Sequence, residues 1–131
     1  MHVRALDHLV LTVRDIDATC DFYHRVLGMR VITFGEGRVA LRFGNQKINL
    51  HPAGNEFQPC AAAAQPGAAD LCFEVDADPQ AVLAHIRAEG VEPLEGPVPR
   101  TGALGPITSI YFRDLDGNLI ELASYEKGLP R

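Results

Sequence analysis

Two stretches of this chain can be laid on one another with their polar interruptions in register. HLVLTV, from His8 to Val13, matches DLCFEV, from Asp70 to Val75, and Ile48-Asn49-Leu50 matches Ile120-Glu121-Leu122. An internal repeat of this kind constrains the fold more than any local propensity, because both halves must then supply the same elements in the same order. His8 falls opposite Asp70 and Asn49 opposite Glu121, so the polar residues that interrupt the apolar strands are themselves repeated.

In the first half, HLVLTV is short, β-branched and bounded by the polar run RDID, the pattern of a buried strand. A helix is predicted next, capped by Asp15 or Asp17, with Phe22, Tyr23, Val26 and Leu27 on one face and Gly28 at the left-handed stop. Strands are predicted from Met29 to Phe34, Arg38 to Phe43 and Gln46 to His51, separated by Gly35-Glu36-Gly37 and Gly44-Asn45. Pro52 to Gly67 reads as a connector. The second half repeats the order with a strand at Asp70 to Val75 and a helix opened by Asp78-Pro79 and carrying Val82, Leu83 and Ile86. Strands at Val91 to Val98, Thr108 to Arg113 and Leu119 to Ser124 complete it, the last two joined by Asp114-Leu115-Asp116-Gly117-Asn118. The expectation is an α+β chain of two tandem βαβββ modules, about 5–52 and about 69–125, within one domain spanning 1–131. Paired about a pseudo-twofold axis, the first and last strands of each module would line one cleft.

With 131 residues there is no room for separate cofactor and substrate domains, so any site must be built from the core elements. Apolar residues at 47% and charged residues at 22% are ordinary for a globular domain. The net charge of -5, with no basic stretch along the chain, argues against a nucleic-acid partner. Cys20, Cys60 and Cys72 are odd in number and lack CxxC spacing, which fits a reducing cytoplasm better than a disulfide framework. MHVRALDHLVLTV has no signal-peptide pattern and no run of 18 apolar residues occurs, so neither export nor a membrane partner is expected.

His8 and Glu121 each occupy a strand position where an apolar side chain would be the easy choice. A divalent metal is one way to offset the cost of withdrawing such groups from water. Taken alone, Glu121 is equally compatible with the water-facing side of a sheet, and His8 with a hydrogen-bonded rim histidine. Asn49 and His51 are two residues apart and share a strand face; the repeat favours Asn49 as the counterpart of Glu121, and ligand chemistry favours His51. Asp70 is a further candidate ligand or proton carrier, against the plain alternative of a solvated residue at a strand start. Arg100 lies in the Gly- and Pro-rich stretch from Glu95 to Pro106, readable as a loop that folds over an acidic substrate or as an ordinary hairpin. No GxSxG elbow, GxxxxGK or GxGxxG pattern is present.

DHLVLTVRDIDATCDFYHRVLGM near the start and YFRDLDGNLIELASY near the end resemble the vicinal oxygen chelate superfamily of glyoxalase I, extradiol dioxygenases, fosfomycin-modifying enzymes and bleomycin-resistance proteins. FGNQKINLH, FQP and EGPVPRTGALGPITSIYFRD are more specifically similar to the subgroup of glyoxalase domain-containing protein 5. The resemblance implies the glyoxalase-like fold, a homodimer, and one divalent metal ion (Zn, Ni, Mn or Fe) held by His8, His51 or Asn49, Asp70 and Glu121. It implies a lyase or isomerase acting on a small substrate that chelates the metal through neighbouring oxygens, with Glu121 or Asp70 moving the proton; Arg100, by its paired hydrogen-bond donors, and Asn49 are the candidate substrate-binding residues. Bacterial glyoxalase I would have Glu at Asn49 and His at Asp70. Two other classes stay open: a metal-free binding protein of the bleomycin-resistance type, and a non-haem iron dioxygenase using His8, His51 and Glu121.

Overall fold

A computed structural model describes residues 1–126 of the chain. It divides into two compact units, one ending at Ala68 and the other beginning at Ala69. Each unit is one βαβββ module.

In the first unit the elements are β1 (His8–Val13), α1 (Ile16–Leu27), β2 (Arg30–Phe34), β3 (Arg38–Phe43) and β4 (Gln46–Pro52). Asp15, extended, caps α1 by accepting the Ala18 N–H at 2.9 Å, and Gly28 ends it at φ 67°, a left-handed conformation costly for any residue with a Cβ. Asp17 is left in the first turn. The sheet order is β1-β4-β3-β2, with β1 parallel to β4 and the other pairs antiparallel. Leu11, Val13, Leu41, Ile48 and Leu50 pack beneath Phe22, Tyr23 and Val26 of α1, and all are essentially buried. Residues directly opposite across a sheet share a face, so the register His8↔Lys47, Val10↔Asn49 and Thr12↔His51 sends these six to the side away from α1.

In the second unit β5 (Asp70–Glu74), α2 (Pro79–Ala88), β6 (Glu95–Gly102), β7 (Gly105–Arg113) and β8 (Leu119–Tyr125) repeat the arrangement with sheet order β5-β8-β7-β6. Asp78 caps α2 through the Gln80 N–H at 2.9 Å, and Val82 and Ile86 face the sheet. The registers of the two modules correspond: Asn49 pairs with Val10, two residues past His8, and Glu121 pairs with Cys72, two residues past Asp70.

The structure corrects the reading of the third quarter of the chain. The strand expected from Val91 to Val98 runs from Glu95 to Gly102, and the one expected from Thr108 begins at Gly105. Arg100 therefore lies on a strand rather than in a loop over the site. The prolines misled because β6 is an edge strand, where a residue without an N–H is tolerated. Gly96, at φ 111°, sits at the register shift between Glu95 and Val98, where an added Cβ would meet the β7 backbone. Among the described residues, no helix is long and apolar enough to cross a membrane.

Candidate functional site

The clearest gathering of polar side chains is on the open face of the second sheet, around Glu121. Ser109, fully buried on β7, donates its hydroxyl to Glu121 Oε2 at 2.6 Å, a length typical of an O–H···O⁻ bond. Tyr111 stands directly opposite Glu121 on β7, and Cys72 directly opposite it on β5. Besides desolvation, the Glu121 carboxylate raises the pKa of both side chains. Desolvation of its sulfur, then the charges of Glu121 and Asp70, push the Cys72 thiol up to about 11, and Tyr111 is likewise raised, first by desolvation. At neutral pH three neutral polar side chains thus surround one carboxylate, and Ser109 donates to it. A cavity of about 380 Å³ opens beside them, lined by Cys72, Gly102, Ile107, Glu121 and Tyr125 among others.

The turn before β8 sets this geometry. Asp114 accepts the backbone N–H groups of Asp116 and Asn118 and the Asn118 side-chain amide, at 2.8 to 3.0 Å. Asn118 Oδ1 in turn accepts the Ala69 N–H at 2.9 Å, which fixes the start of β5 against β8. Asp70, exposed at that start, shares the open face with Glu121, offset by one residue pair. Arg100 reaches the same network from the edge strand. Its Nε donates to the Tyr111 hydroxyl at 3.1 Å, and its Nη atoms donate to Glu95 Oε1 and the Pro99 carbonyl at 2.9 Å.

In the first module His8, Asn49 and His51 share the open face. His8 is half exposed, and its Nδ1 lies 2.8 Å from Asp7 Oδ1. Nδ1 is engaged by that carboxylate and Nε2 is the nitrogen left for another partner, the pattern by which carboxylates orient metal-binding histidines. Asn49 is 5% exposed, and its Oδ1 is buried without a hydrogen-bond donor. His51 is 3% exposed, packs edge-on against Phe57 and has Nε2 3.4 Å from Arg38 Nη2. A guanidinium only donates, so Nε2 is the acceptor and Nδ1 carries the proton, itself buried and unpartnered. Burial, and then the Arg38 charge, lower the His51 pKa and keep the ring neutral. Arg38 is held between Phe34 and Phe57, its guanidinium carbon 4.9 and 4.6 Å from their ring centres. Among the described residues, no group of three or more His, Cys, Asp or Glu side chains is placed to hold a metal.

Ser109, Tyr111 and Cys72 did not emerge from the sequence. Their alternation with the apolar residues of β7 and β5 was the available signal, but it becomes informative only once the register sets them opposite Glu121.

Residues 5–122 match the family model of the Glyoxalase/Bleomycin resistance protein/Dioxygenase superfamily. The chain belongs to this superfamily. It is 56% identical over 126 residues to the glyoxalase domain-containing protein RDO1 of Mycosarcoma maydis, covering 96% of this chain and 71% of that protein. It is 52% identical to virulence protein STM3117 of Salmonella typhimurium over 95% of this chain and 87% of that protein, and the crystal structure of STM3117 superposes with a TM-score of 0.94 over 96% of this chain and 100% of that one. An integron cassette protein from V. cholerae gives the same TM-score at 56% identity, covering 96% of this chain and 98% of its own. More distant superfamily relatives carry several activities in their names. They include methylmalonyl-CoA epimerase of Homo sapiens, 30% identical over 89% of this chain and 72% of that protein, and biphenyl-2,3-diol 1,2-dioxygenase 2 of Rhodococcus globerulus, 29% identical over 88% and 60%. The fosfomycin resistance protein of Listeria monocytogenes, whose structure holds Mn(II) and sulfate, shares the glyoxalase-like fold at 22% identity, a TM-score of 0.65 and coverage of 96% of this chain and 94% of that one.

Proposed function

We propose that this superfamily member is a metal-dependent lyase or isomerase acting on a small substrate with two neighbouring oxygens. The observation that supports it most is Asn49 Oδ1, a buried oxygen lone pair with no donor, at the position the repeat equates with Glu121. Burying such an acceptor unpaired costs about 1–3 kcal/mol, which a cation would offset. The donor types that the sequence offers, His8, Asn49, Asp70 and Glu121, are ones a divalent ion accepts. This set holds one nitrogen and three oxygens, harder than the sets zinc prefers, so Mn²⁺ or Fe²⁺ suits it best. His51 is the weaker candidate because its Nε2 lone pair is directed at a guanidinium.

When bound, the metal would polarise the substrate's oxygens and stabilise negative charge developing on them. Glu121 is the proton carrier in this reading. Ser109 fixes one of its oxygens, and the protonated Cys72 and Tyr111 flank it on β5 and β7 without competing for charge. Tyr111 is positioned in turn by Arg100, which links the edge strand to the carboxylate. Asp70, exposed at the strand start, would serve as ligand or as the second proton carrier.

The dioxygenase reading requires His51 as the second imidazole, and its contact with Arg38 disfavours that role. A metal-free binding protein would use the same open faces and differs in metal content. Element analysis of protein purified without chelator tests the proposal: about one Mn or Fe per chain in the wild type and none in Glu121→Ala supports it, and a metal-free wild-type protein overturns it.

A further inference from the structure

The open face of the first module also carries a concentration of positive charge that the metal reading does not use. Arg30 pairs directly with Arg42, Arg42 with Lys47, and Lys47 with His8, so three cationic side chains stand side by side in a row on β2, β3 and β4 with an imidazole beyond them on β1. Like charges directly opposite in a sheet repel. Lys47 and Arg38 are further gathered on one ring, with Lys47 Nζ 3.6 Å and the Arg38 guanidinium carbon 4.9 Å from the Phe34 centre. None of the side chains that the register puts on this face is acidic. Asp7 borders the row, but its carboxylate is taken by His8. Among the described residues, Arg30, Arg42 and Lys47 have no carboxylate partner. A hollow of about 270 Å³, lined by Asp7, Ile32, Arg42, Asn45, Gln46 and Lys47, opens on the row.

A sheet face this basic, on a chain of net charge -5, is maintained against its own repulsion. On the same face His51 keeps a buried Nδ1–H with no acceptor, a second unmet demand for an anionic or carbonyl oxygen. Between these groups the face carries Ile32, Ala40 and the polar Asn49. We propose that this face binds a multiply charged oxyanion, a phosphate-type dianion or a dicarboxylate, borne by a small organic ligand, with Arg42 and Lys47 as its principal contacts. A monoanion would leave most of the row uncompensated. The inference needs no metal and stands or falls apart from the metal reading.

Calorimetric titration of metal-stripped, dialysed protein with sodium phosphate, sodium succinate and sodium acetate at matched ionic strength tests it. Binding of a dianion at least about tenfold tighter than acetate is expected, and a loss of about tenfold or more in Arg42→Gln and in Lys47→Gln. Preference for phosphate or for succinate assigns the charged group to a phosphoryl or a dicarboxylate ligand. The unliganded variants should melt at or above the wild-type temperature, because each relieves a cross-strand repulsion. No dianion binding, unchanged affinity in both variants, or lower melting temperatures in both overturns the proposal. So does a change in sedimenting mass on substitution, which would give the face to a second copy of the chain.

Discussion

Replacing Ser109 by Ala probes the arrangement around Glu121 at its tightest contact. The Ser109 hydroxyl is fully buried and donates to a carboxylate oxygen at 2.6 Å, whereas Glu121 itself is half-buried and so partly reachable by water. A hydrogen bond to a charged group is worth about 1.5–3 kcal/mol, and the access of water to Glu121 places this one near the lower end, about 1.5 kcal/mol. The substitution removes the donor itself and leaves no unpaired polar atom on β7, so no further penalty is added. For a chain of this size, that loss lowers the melting temperature by about 5 °C, readable by circular dichroism. The larger effect is on ligand geometry. Freed from Ser109, the carboxylate can turn between Cys72 and Tyr111, and affinity for Mn²⁺ should fall about tenfold, as is usual when a partner that orients a metal ligand is removed. A melting temperature within about 1 °C of wild type together with unchanged Mn²⁺ affinity would refute the role given to Ser109.

Three other outcomes follow from the same side chains. Cys72, with its thiol at about 11, should resist iodoacetamide at pH 8 and react faster as pH approaches that value; Glu121→Gln should speed the labelling, and a wild-type rate at pH 8 equal to that of free cysteine contradicts the assignment. His51 is held neutral by burial and by Arg38, so the unfolded chain takes up that proton first as pH falls below about 6.5. Its contribution to stability is thus complete above that pH and lost below it, and urea midpoints from pH 8 to pH 5 should fall less in His51→Gln than in the wild type. Activity on the hemithioacetal of methylglyoxal and glutathione should be weak, with a turnover number below about 1 per second, because Asn49 and Asp70 stand where bacterial glyoxalase I has Glu and His.

The repeat made the fold legible. Once HLVLTV was laid on DLCFEV, both modules and the matching positions of His8 with Asp70 and of Asn49 with Glu121 followed, and the strand registers agree with that alignment. The β6 strand escaped because Gly96, Pro97 and Pro99 are turn residues by propensity, and only its place at the sheet edge makes them acceptable. The basic row escaped for a different reason. His8, Arg30, Arg42 and Lys47 come from four strands, so no window of sequence looks basic, and the register alone assembles them. The choice between Asn49 and His51 also lay beyond periodicity, because both residues share one face. Arg38, thirteen positions before His51, contacts the imidazole Nε2, while the Asn49 amide oxygen is buried without a donor.

The central claim is that Glu121, and not His51, is a ligand of a divalent metal, and a crystal grown with Mn²⁺ and measured at a wavelength where manganese scatters anomalously tests it most directly. The account predicts one strong anomalous peak bonded to the Glu121 carboxylate, with the His51 ring still against Arg38. A peak bonded to His51, or a map with no peak at Glu121, would contradict it.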